Sequence, residues 1–329
     1  MAFLDRLGRC HHNRRMDSYI VPTGHRSGFV AVVGRPNVGK STLLNALLGQ
    51  PVTATSSKPQ TTQLNQLAIL TRPEFQVIFV DTPGIHQPHH LLGEWMDAAA
   101  TTVIADADVC LVLFDMGEPP TDDDLRTAER LTSIGRRPPT IAALNKVDLV
   151  PEPEHSARQA AFRDMVPFAE TTLLVSALNG DGLDDLLAAL MAHVPEGPRY
   201  YPEDQITDRY ERDVSADLIR SAAMQQLREE LPHSLAVRID EFTERGDSGA
   251  LIKATLFVER DSQKGMVIGK GGAMIRDIGQ LARQHIEAMS GRSVYLDLRV
   301  KVQPGWRSDP KALKRFGYST IEPTTRKTG

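Results

Sequence analysis

The segment of residues 34–42 constrains the fold of this chain more than any other. It reads G-R-P-N-V-G-K-S-T and fits the phosphate-loop pattern G-x-x-x-x-G-K-[ST]. Residues 28–33 before it form an apolar run typical of a buried strand, and residues 43–48 after it are helix formers followed by Gly49. The alternative, a Gly/Lys turn that binds nothing, is disfavoured because the motif lies between the correct elements.

Strand, glycine loop and helix N-terminus together form a cradle in which main-chain N–H groups and the helix dipole attract phosphate. Lys40 is expected to reach the β and γ phosphates of a nucleotide, and the Ser41 hydroxyl is expected to hold Mg²⁺. The residues predicted to bind the nucleotide in this phosphate loop are Gly34, Arg35, Pro36, Asn37, Val38, Gly39, Lys40, Ser41 and Thr42.

Length and composition favour a globular chain of roughly two domains. The 329 residues are 41% hydrophobic and 24% charged, which are ordinary values. Two cysteines are too few for a disulfide framework, so a reducing cytosol is the expected location. No apolar run approaches the ~20 residues of a membrane span, and the N-terminus lacks the apolar core of a signal peptide.

Charge is distributed unevenly along the chain. The net charge is −4, but residues 264–329 contain 13 Lys and Arg against 5 Asp and Glu, so the rest of the chain carries −12. A basic C-terminal module on an acidic body favours a polyanionic partner for that module. Charge alone leaves open the alternative of a solvated basic face without a partner.

Strands and helices are predicted to alternate up to residue 195, which indicates an α/β fold with a mostly parallel sheet covered by helices on both faces. Ligand loops are then expected at the carboxyl ends of the strands. The predicted division is a basic arm at 1–27, a nucleotide-binding domain at 28–195, a proline-rich linker at 196–212, a second, α+β module at 213–302 and a basic tail at 303–329.

The predicted strand that ends at Val80 is followed by D-T-P-G. Asp81 at a strand end opposite the phosphate loop can hold Mg²⁺, and Gly84 can offer its N–H to a γ-phosphate. Thr82, Pro83 and Ile85 are assigned to the same nucleotide loop. A plain turn is the minor alternative after a phosphate loop.

The N-K-V-D motif of residues 145–148, called the base loop below, predicts guanine recognition. The Asp148 carboxylate can accept hydrogen bonds from N1–H and the 2-amino group of guanine, whereas adenine lacks both donors. Asn145, Lys146 and Val147 complete the loop. A main-chain N–H at Ser176–Ala177, after the last strand, is expected to meet guanine O6.

The second module has the predicted order α-β-β-α-α-β, and Gly269, Lys270, Gly271 and Gly272 form a G-x-x-G loop between its helices. Such a loop can press its backbone against RNA, with the lysine on phosphate. Ile268 and Arg276 are assigned to the same RNA surface.

A glycine-rich turn of a helix hairpin is the alternative reading of that loop. In the tail, the aromatic side chains of Trp306 and Phe316 are equally consistent with stacking on RNA and with packing on the module.

The combination resembles the Era family of bacterial GTPases over residues 28–321. The resemblance is carried by G-R-P-N-V-G-K-S-T-L-L-N, Q-T-T, D-T-P-G, N-K-V-D, S-A and M-V-I-G-K-G-G in the family's order, and above all by the linker segment 201–209. It implies a GTPase domain followed by a type II KH domain. It also implies GTP hydrolysis, binding of the 3′ end of 16S rRNA, a role in small-subunit assembly, and a cytoplasmic monomer with a peripheral membrane fraction.

The resemblance further implies GTP or GDP, Mg²⁺ and K⁺ as ligands. Thr61 or Thr62 would be the switch threonine, with Ser41, Thr62 and Asp81 on the metal. The residues predicted to serve catalysis are Lys40, Asn37, Thr62 and Gly84. Ile85 stands where signalling GTPases place a water-orienting Gln, so slow intrinsic hydrolysis is expected. The chain departs from the family in its switch region, where Gln63 replaces the usual Arg and Ala68 replaces the usual Gly.

A regulatory GTPase that signals through proteins at the membrane is the alternative function. A tRNA-modification GTPase is disfavoured because the chain ends in R-K-T-G rather than a cysteine, and a tandem G-domain protein is excluded by the single phosphate loop.

Overall fold

The structure is a computed structural model with two α/β units joined in series. The residues that it describes are 22–50, 66–82, 91–207, 211–227, 234–244 and 249–316. The predictions that concern the switch segment around Thr61 and Thr62, and those for residues 83–85, lie outside these ranges.

The first unit contains a six-stranded sheet in the order β2-β3-β1-β4-β5-β6. Only β2 runs antiparallel to its neighbour; all other pairs are parallel. The predicted mostly parallel sheet is therefore confirmed. The strands are β1 (Arg26–Val33), β2 (Gln66–Arg72), β3 (Phe75–Asp81), β4 (Val109–Asp115), β5 (Thr140–Asn145) and β6 (Thr171–Leu174).

Helices cover both faces of this sheet, because its central strands are apolar on both sides. All seven residues of β4 are buried, and two separate apolar layers lie above and below the strands. α2, α3 and α4 pack on one face, and α1 and α5 pack on the other. The helices are α1 (Lys40–Leu48), α2 (Leu91–Asp106), α3 (Asp122–Ser133), α4 (Glu152–Met165) and α5 (Leu183–His193).

The second unit has a three-stranded sheet in the order β7-β8-β9, backed by helices on one face. β8 is antiparallel to β7 and parallel to β9. The predicted order of elements along the chain, α-β-β-α-α-β, is confirmed. Its elements are α6 (Glu211–Gln226), β7 (Ala236–Glu244), β8 (Ala250–Val258), α7 (Asp261–Ile268), α8 (Ala273–Ser290) and β9 (Val294–Val302), followed by α9 (Pro310–Arg315).

The segment after β9 folds back onto the sheet. Trp306 is fully buried, donates its indole N–H to the Ser234 carbonyl over 3.1 Å and meets the Phe316 ring edge-on. Phe316 also contacts Phe257 of β8, with ring centroids 4.6 Å apart. The choice that the sequence left open is therefore decided in favour of packing on the second unit.

The two units touch through an apolar cluster. Leu92 and Met96 of α2, each 2% exposed, belong to the same cluster as Trp306 and Leu313. Within the described ranges, none of the helices combines the length and the apolarity that a bilayer crossing requires.

The linker lies against the first unit, where Gln76 of β3 fixes it. The Gln76 amide group donates to the Tyr201 carbonyl over 2.8 Å, and its oxygen accepts from the main-chain N–H groups of Tyr200 and Tyr201. The Ile69 N–H of the edge strand β2 donates to the Ile206 carbonyl over 2.8 Å. These hydrogen bonds hold the linker on the surface of the first unit.

Candidate nucleotide site and RNA-facing loop

The phosphate loop runs from the end of β1 to the start of α1 in a conformation that needs its glycines. Gly34 and Gly39 have φ angles of 151° and 99°, and Asn37 also has a positive φ of 66°. A Cβ atom on Gly39 would collide with the side-chain amide of Asn145. The glycine at this position therefore allows the phosphate loop and the base loop to pack against each other.

Lys40 begins α1 and is buried inside the phosphate loop. Its ammonium donates to the carbonyl oxygens of Gly34 and Arg35 over 2.9 and 3.1 Å. Burial lowers the pKa of Lys40 to about 8, although the charge of Asp81 acts in the opposite direction. A phosphate group beside this amine would supply the negative charge that favours its protonated form.

Ser41 and Asp81 place two oxygen ligands side by side. The Ser41 hydroxyl donates to Asp81 Oδ2 over 3.2 Å, and Asp81 is fully buried at the carboxyl end of β3. Hydroxyl and carboxylate oxygens are ligands that Mg²⁺ prefers, so this pair fits the predicted metal site. Thr82, the residue after Asp81, donates its hydroxyl to the Val32 carbonyl of β1 over 2.8 Å.

Asn145, the last residue of β5, connects three loops. Its Nδ2 donates to the Val38 carbonyl of the phosphate loop over 2.7 Å, and its Oδ1 accepts from the Ala177 N–H over 2.9 Å. Both ends of the amide are thus used inside the protein. The contribution of Asn145 to a guanine site is therefore to hold the surrounding loops.

Asp148 is exposed and has a fixed orientation. Its Oδ1 accepts a hydrogen bond from the Ser176 hydroxyl over 2.6 Å, and that hydroxyl accepts from the Asn179 N–H over 3.1 Å. Lys146 has a φ of 67° and lies with its ammonium 2.5 Å from Asp115 Oδ2. Val147 begins a single turn of 3-10 helix, Val147–Leu149.

The main-chain N–H groups at Ser176 and Ala177, one of which is predicted to meet guanine O6, both have partners within the protein. Ser176 N–H donates to the Asp181 carbonyl over 3.0 Å, and Ala177 N–H donates to Asn145. The partner of Ser176 N–H is local, five residues further along the chain, whereas the partner of Ala177 N–H lies 32 positions away and is set by the tertiary packing.

The G-x-x-G loop joins α7 to α8 with three glycines at positive φ: 72° at Gly269, 59° at Gly271 and 76° at Gly272. A Cβ on Gly269 would lie 2.6 Å from the Met274 side chain, whereas one on Gly271 would meet nothing within 4 Å. Gly271 and Lys270 are exposed. The backbone of this loop is therefore open to a large partner.

Arg276 has a structural bond in addition to its predicted place on the RNA surface. Its guanidinium donates to the Gly271 carbonyl over 2.9 Å and braces the loop. Ile268, the last residue of α7, is only partly exposed.

The sequence reasoning missed a groove of about 400 Å³ beside this loop, between α8 and β9. Arg276 and Arg283 lie seven residues apart and so share one face of α8, a spacing that could have indicated the groove. Tyr295 at its rim is 67% exposed. The other lining residues are Ile275, Gly279, Gln280, Val294, Leu296, Asp297 and Leu298.

Comparison with known proteins places both units in families. Residues 29–146 match a family described as 50S ribosome-binding GTPase, and residues 230–307 match the KH domain. The chain is 45% identical over 298 residues to GTPase Era of Mycobacterium avium, which covers 90% of this chain and 100% of the relative. GTPase Era of Heliobacterium modesticaldum is 43% identical and covers 89% of this chain and 97% of the relative. The chain belongs to the Era family of GTPases.

Solved Era structures have the same architecture as this chain. A crystal structure of Era in complex with MgGDPNP and nucleotides 1506–1542 of 16S ribosomal RNA has a TM-score of 0.84 and 38% identity, and covers 90% of this chain and all of the Era chain. A variant of Aquifex aeolicus Era bound to GDP·AlF4⁻ has a TM-score of 0.83 at the same identity and coverage. As an Era-family protein, this chain is a GTPase with a P-loop G domain followed by a KH domain.

Proposed function

We propose that this Era-family chain is a GTP-driven switch that binds the 3′ end of 16S rRNA and acts in assembly of the small ribosomal subunit. The observation that carries the proposal is the open G-x-x-G loop beside a groove with two arginines, in a chain that also carries the G domain. The solved Era complex with nucleotides 1506–1542 of 16S rRNA supports the same partner.

In this proposal the phosphate loop holds the phosphates, and Ser41 and Asp81 hold Mg²⁺ together with the switch threonine near residue 62. Asp148 reads the guanine ring, and Lys40 and Asn37 act at the phosphates. K⁺ beside Asn37 would add positive charge where negative charge develops during hydrolysis. Intrinsic hydrolysis is slow because Ile85 cannot orient water.

RNA would lie along the G-x-x-G loop and continue into the groove between α8 and β9. Arg276 and Arg283 line this groove, and Lys270 is exposed in the loop, so these three cations would meet phosphates. Tyr295 is an exposed aromatic ring at the rim of the groove. GTP would order the switch segment and hydrolysis would release it, changing how the KH domain docks or grips RNA. The monomeric state and a peripheral membrane fraction remain predictions.

The test uses the full-length chain and two labelled oligonucleotides of equal length: the rRNA 3′ end and a scrambled control. Saturable binding of the rRNA end at moderate salt, at least tenfold tighter than that of the scrambled RNA, is the expected result. Equal or absent binding of the two would reject the RNA proposal and favour a regulatory GTPase that signals through proteins at the membrane. Crosslinking in cells would then identify the bound RNA.

A further inference from the structure

A chain of alternating charges links the base loop to the phosphate loop and to α3. It consists of Lys146, Asp115, Arg35 and Asp124, with Glu118 at its surface end. Lys146 Nζ lies 2.5 Å from Asp115 Oδ2, and the same oxygen lies 3.7 Å from the Arg35 guanidinium. This chain of ion pairs is called the charge network below.

Arg35 is anchored more firmly than a surface arginine. Its Nε donates to Asp124 Oδ1 over 3.1 Å, its Nη2 pairs with Glu118, and only 12% of its side chain is exposed. Its own carbonyl accepts from the Lys40 ammonium. The side chain of Arg35 therefore fixes the segment of backbone that positions the phosphate-loop lysine.

Asp124 and Asp115 are built into the fold. The Asp124 side chain is 1% exposed, and its second oxygen accepts from the Thr121 N–H and hydroxyl over 3.0 and 2.7 Å. Asp115 is the last residue of β4, and its Oδ1 accepts from the Gly117 N–H over 2.9 Å. Because each carboxylate has one oxygen bound to its own loop and the other to the network, both are held in place.

We propose that Asp115 and the side chain of Arg35 are positioning residues that hold the base loop and the phosphate loop in register and thereby slow nucleotide release. The proposal rests on the nucleotide site proposed above. No member of the network other than Lys146 and Arg35 belongs to the predicted site. Asp115 acts through these two residues, and both belong to loops that would contact the same nucleotide at opposite ends.

The test measures release of the fluorescent nucleotide mant-GDP from full-length protein after addition of excess GDP. Asp115→Asn keeps the shape of the side chain and the bond to Gly117 but removes the charge. Release is expected to be at least tenfold faster, with KM for GTP raised and kcat within threefold of wild type. Release within twofold of wild type would overturn the proposal.

Asp123→Asn is the matched control. Asp123 lies on α3 beside the network, is 44% exposed and pairs only on the surface, with Arg126 over 2.6 Å. The Asp123→Asn variant is expected to release mant-GDP at the same rate as wild type. A loss of thermal stability in Asp115→Asn without faster release would show a merely structural role and would also reject the proposal.

A second variant and a double-mutant cycle keep the test decisive if Asp115→Asn does not fold. Arg35→Lys retains the positive charge but replaces the planar guanidinium group, with its several N–H donors, by a single ammonium. Release of mant-GDP from this variant is expected to be at least threefold faster than from wild type. In the cycle of Arg35→Gln with Asp124→Asn, the effects on release are expected to be less than additive. Additive effects, or release within twofold of wild type in Arg35→Lys, would contradict the proposal. Failure of wild type to bind mant-GDP saturably would reject the nucleotide site itself.

Discussion

The side-chain amide of Asn145 donates a hydrogen bond over 2.7 Å to the carbonyl of Val38, 107 positions earlier in the chain. One residue ends β5 and the other lies in the phosphate loop. Since Asn145 also accepts from the Ala177 N–H, this one side chain is bonded both to the phosphate loop and to the loop after β6. We therefore expect the binding of guanine and the binding of phosphate to be coupled through this side chain.

Replacing Asp148 by Asn is expected to move nucleotide preference from guanine towards xanthine. The carboxylate matches two donors of guanine, whereas the Asn amide offers a donor to the 2-oxo group of xanthine. In a competition experiment, the ratio of the affinity for XTP to the affinity for GTP is expected to rise by a factor of ~100 or more. Unchanged preference for GTP would refute the role assigned to Asp148.

Ser176→Ala is the control for that experiment, because it removes the 2.6 Å bond that orients Asp148 and keeps the carboxylate. It is expected to weaken GTP binding by a factor of about 10 without any gain in xanthine binding.

Potassium is expected to accelerate hydrolysis through Asn37. Single-turnover hydrolysis of Mg·GTP should be several-fold faster in KCl than in NaCl for wild type and equal in both salts for Asn37→Gly. Glycine suits the positive φ of 66° at this position, so the variant removes the amide without straining the loop. Equal wild-type rates in the two salts would exclude the K⁺ role.

The pKa of Lys40 makes the stability of the nucleotide-free protein depend on pH. Burial lowers this pKa from 10.5 to about 8, so between these values the unfolded chain binds more protons than the folded chain. The free energy of unfolding of wild type, measured by urea titration and compared with Lys40→Met, is therefore expected to rise from pH 8 to pH 10. The rise is at most about 1.4 kcal/mol per pH unit. Parallel pH profiles of the two proteins would contradict the burial of a titrating Lys40.

A negative charge at the tip of the G-x-x-G loop is expected to weaken RNA binding. Gly271→Asp and Gly271→Asn have nearly the same shape, and Asn tolerates the positive φ of 59°. Fluorescence anisotropy measures binding of the rRNA 3′-end oligonucleotide. Compared with wild type, Gly271→Asp is expected to bind it at least tenfold more weakly, and Gly271→Asn less than threefold more weakly. If both variants bind like wild type, the loop does not contact the RNA backbone.

A charge at Met96 is expected to separate the two units. Met96 is 2% exposed in the cluster with Phe257 and Trp306, so Met96→Asp would bury an unpaired carboxylate at a cost of roughly 2–4 kcal/mol. Small-angle scattering is expected to show a larger radius of gyration, with nucleotide affinity within threefold of wild type. Leu91→Asp, at a position 37% exposed on the same helix, is the control and should leave the radius unchanged. An unchanged radius in both variants would mean that this cluster does not hold the units together.

Much of the fold could be predicted because its signals are local. A glycine loop between an apolar strand and a helix former is constrained by backbone sterics alone, and the alternation of strands and helices permits few topologies. The order of elements predicted for the second module matches the structure, and Gly49, predicted to follow the helix of the phosphate loop, ends α1 at a positive φ of 70°. The motif residues at the carboxyl ends of β1, β3 and β5 were predicted from the rule that ligand loops lie at the carboxyl ends of parallel strands.

A P-loop G domain and a KH domain could be identified from the order and spacing of the motifs. The burial of Trp306, the attachment of the linker to Gln76 and the ion pairs of Arg35 with Asp115 and Asp124 became visible only in the folded chain. Each of these depends on partners tens of positions apart in the sequence, whose hydrogen bonds and burial have no local signal. Spacing along a chain specifies backbone conformation, whereas the pairing of distant polar groups is set by how the completed layers pack.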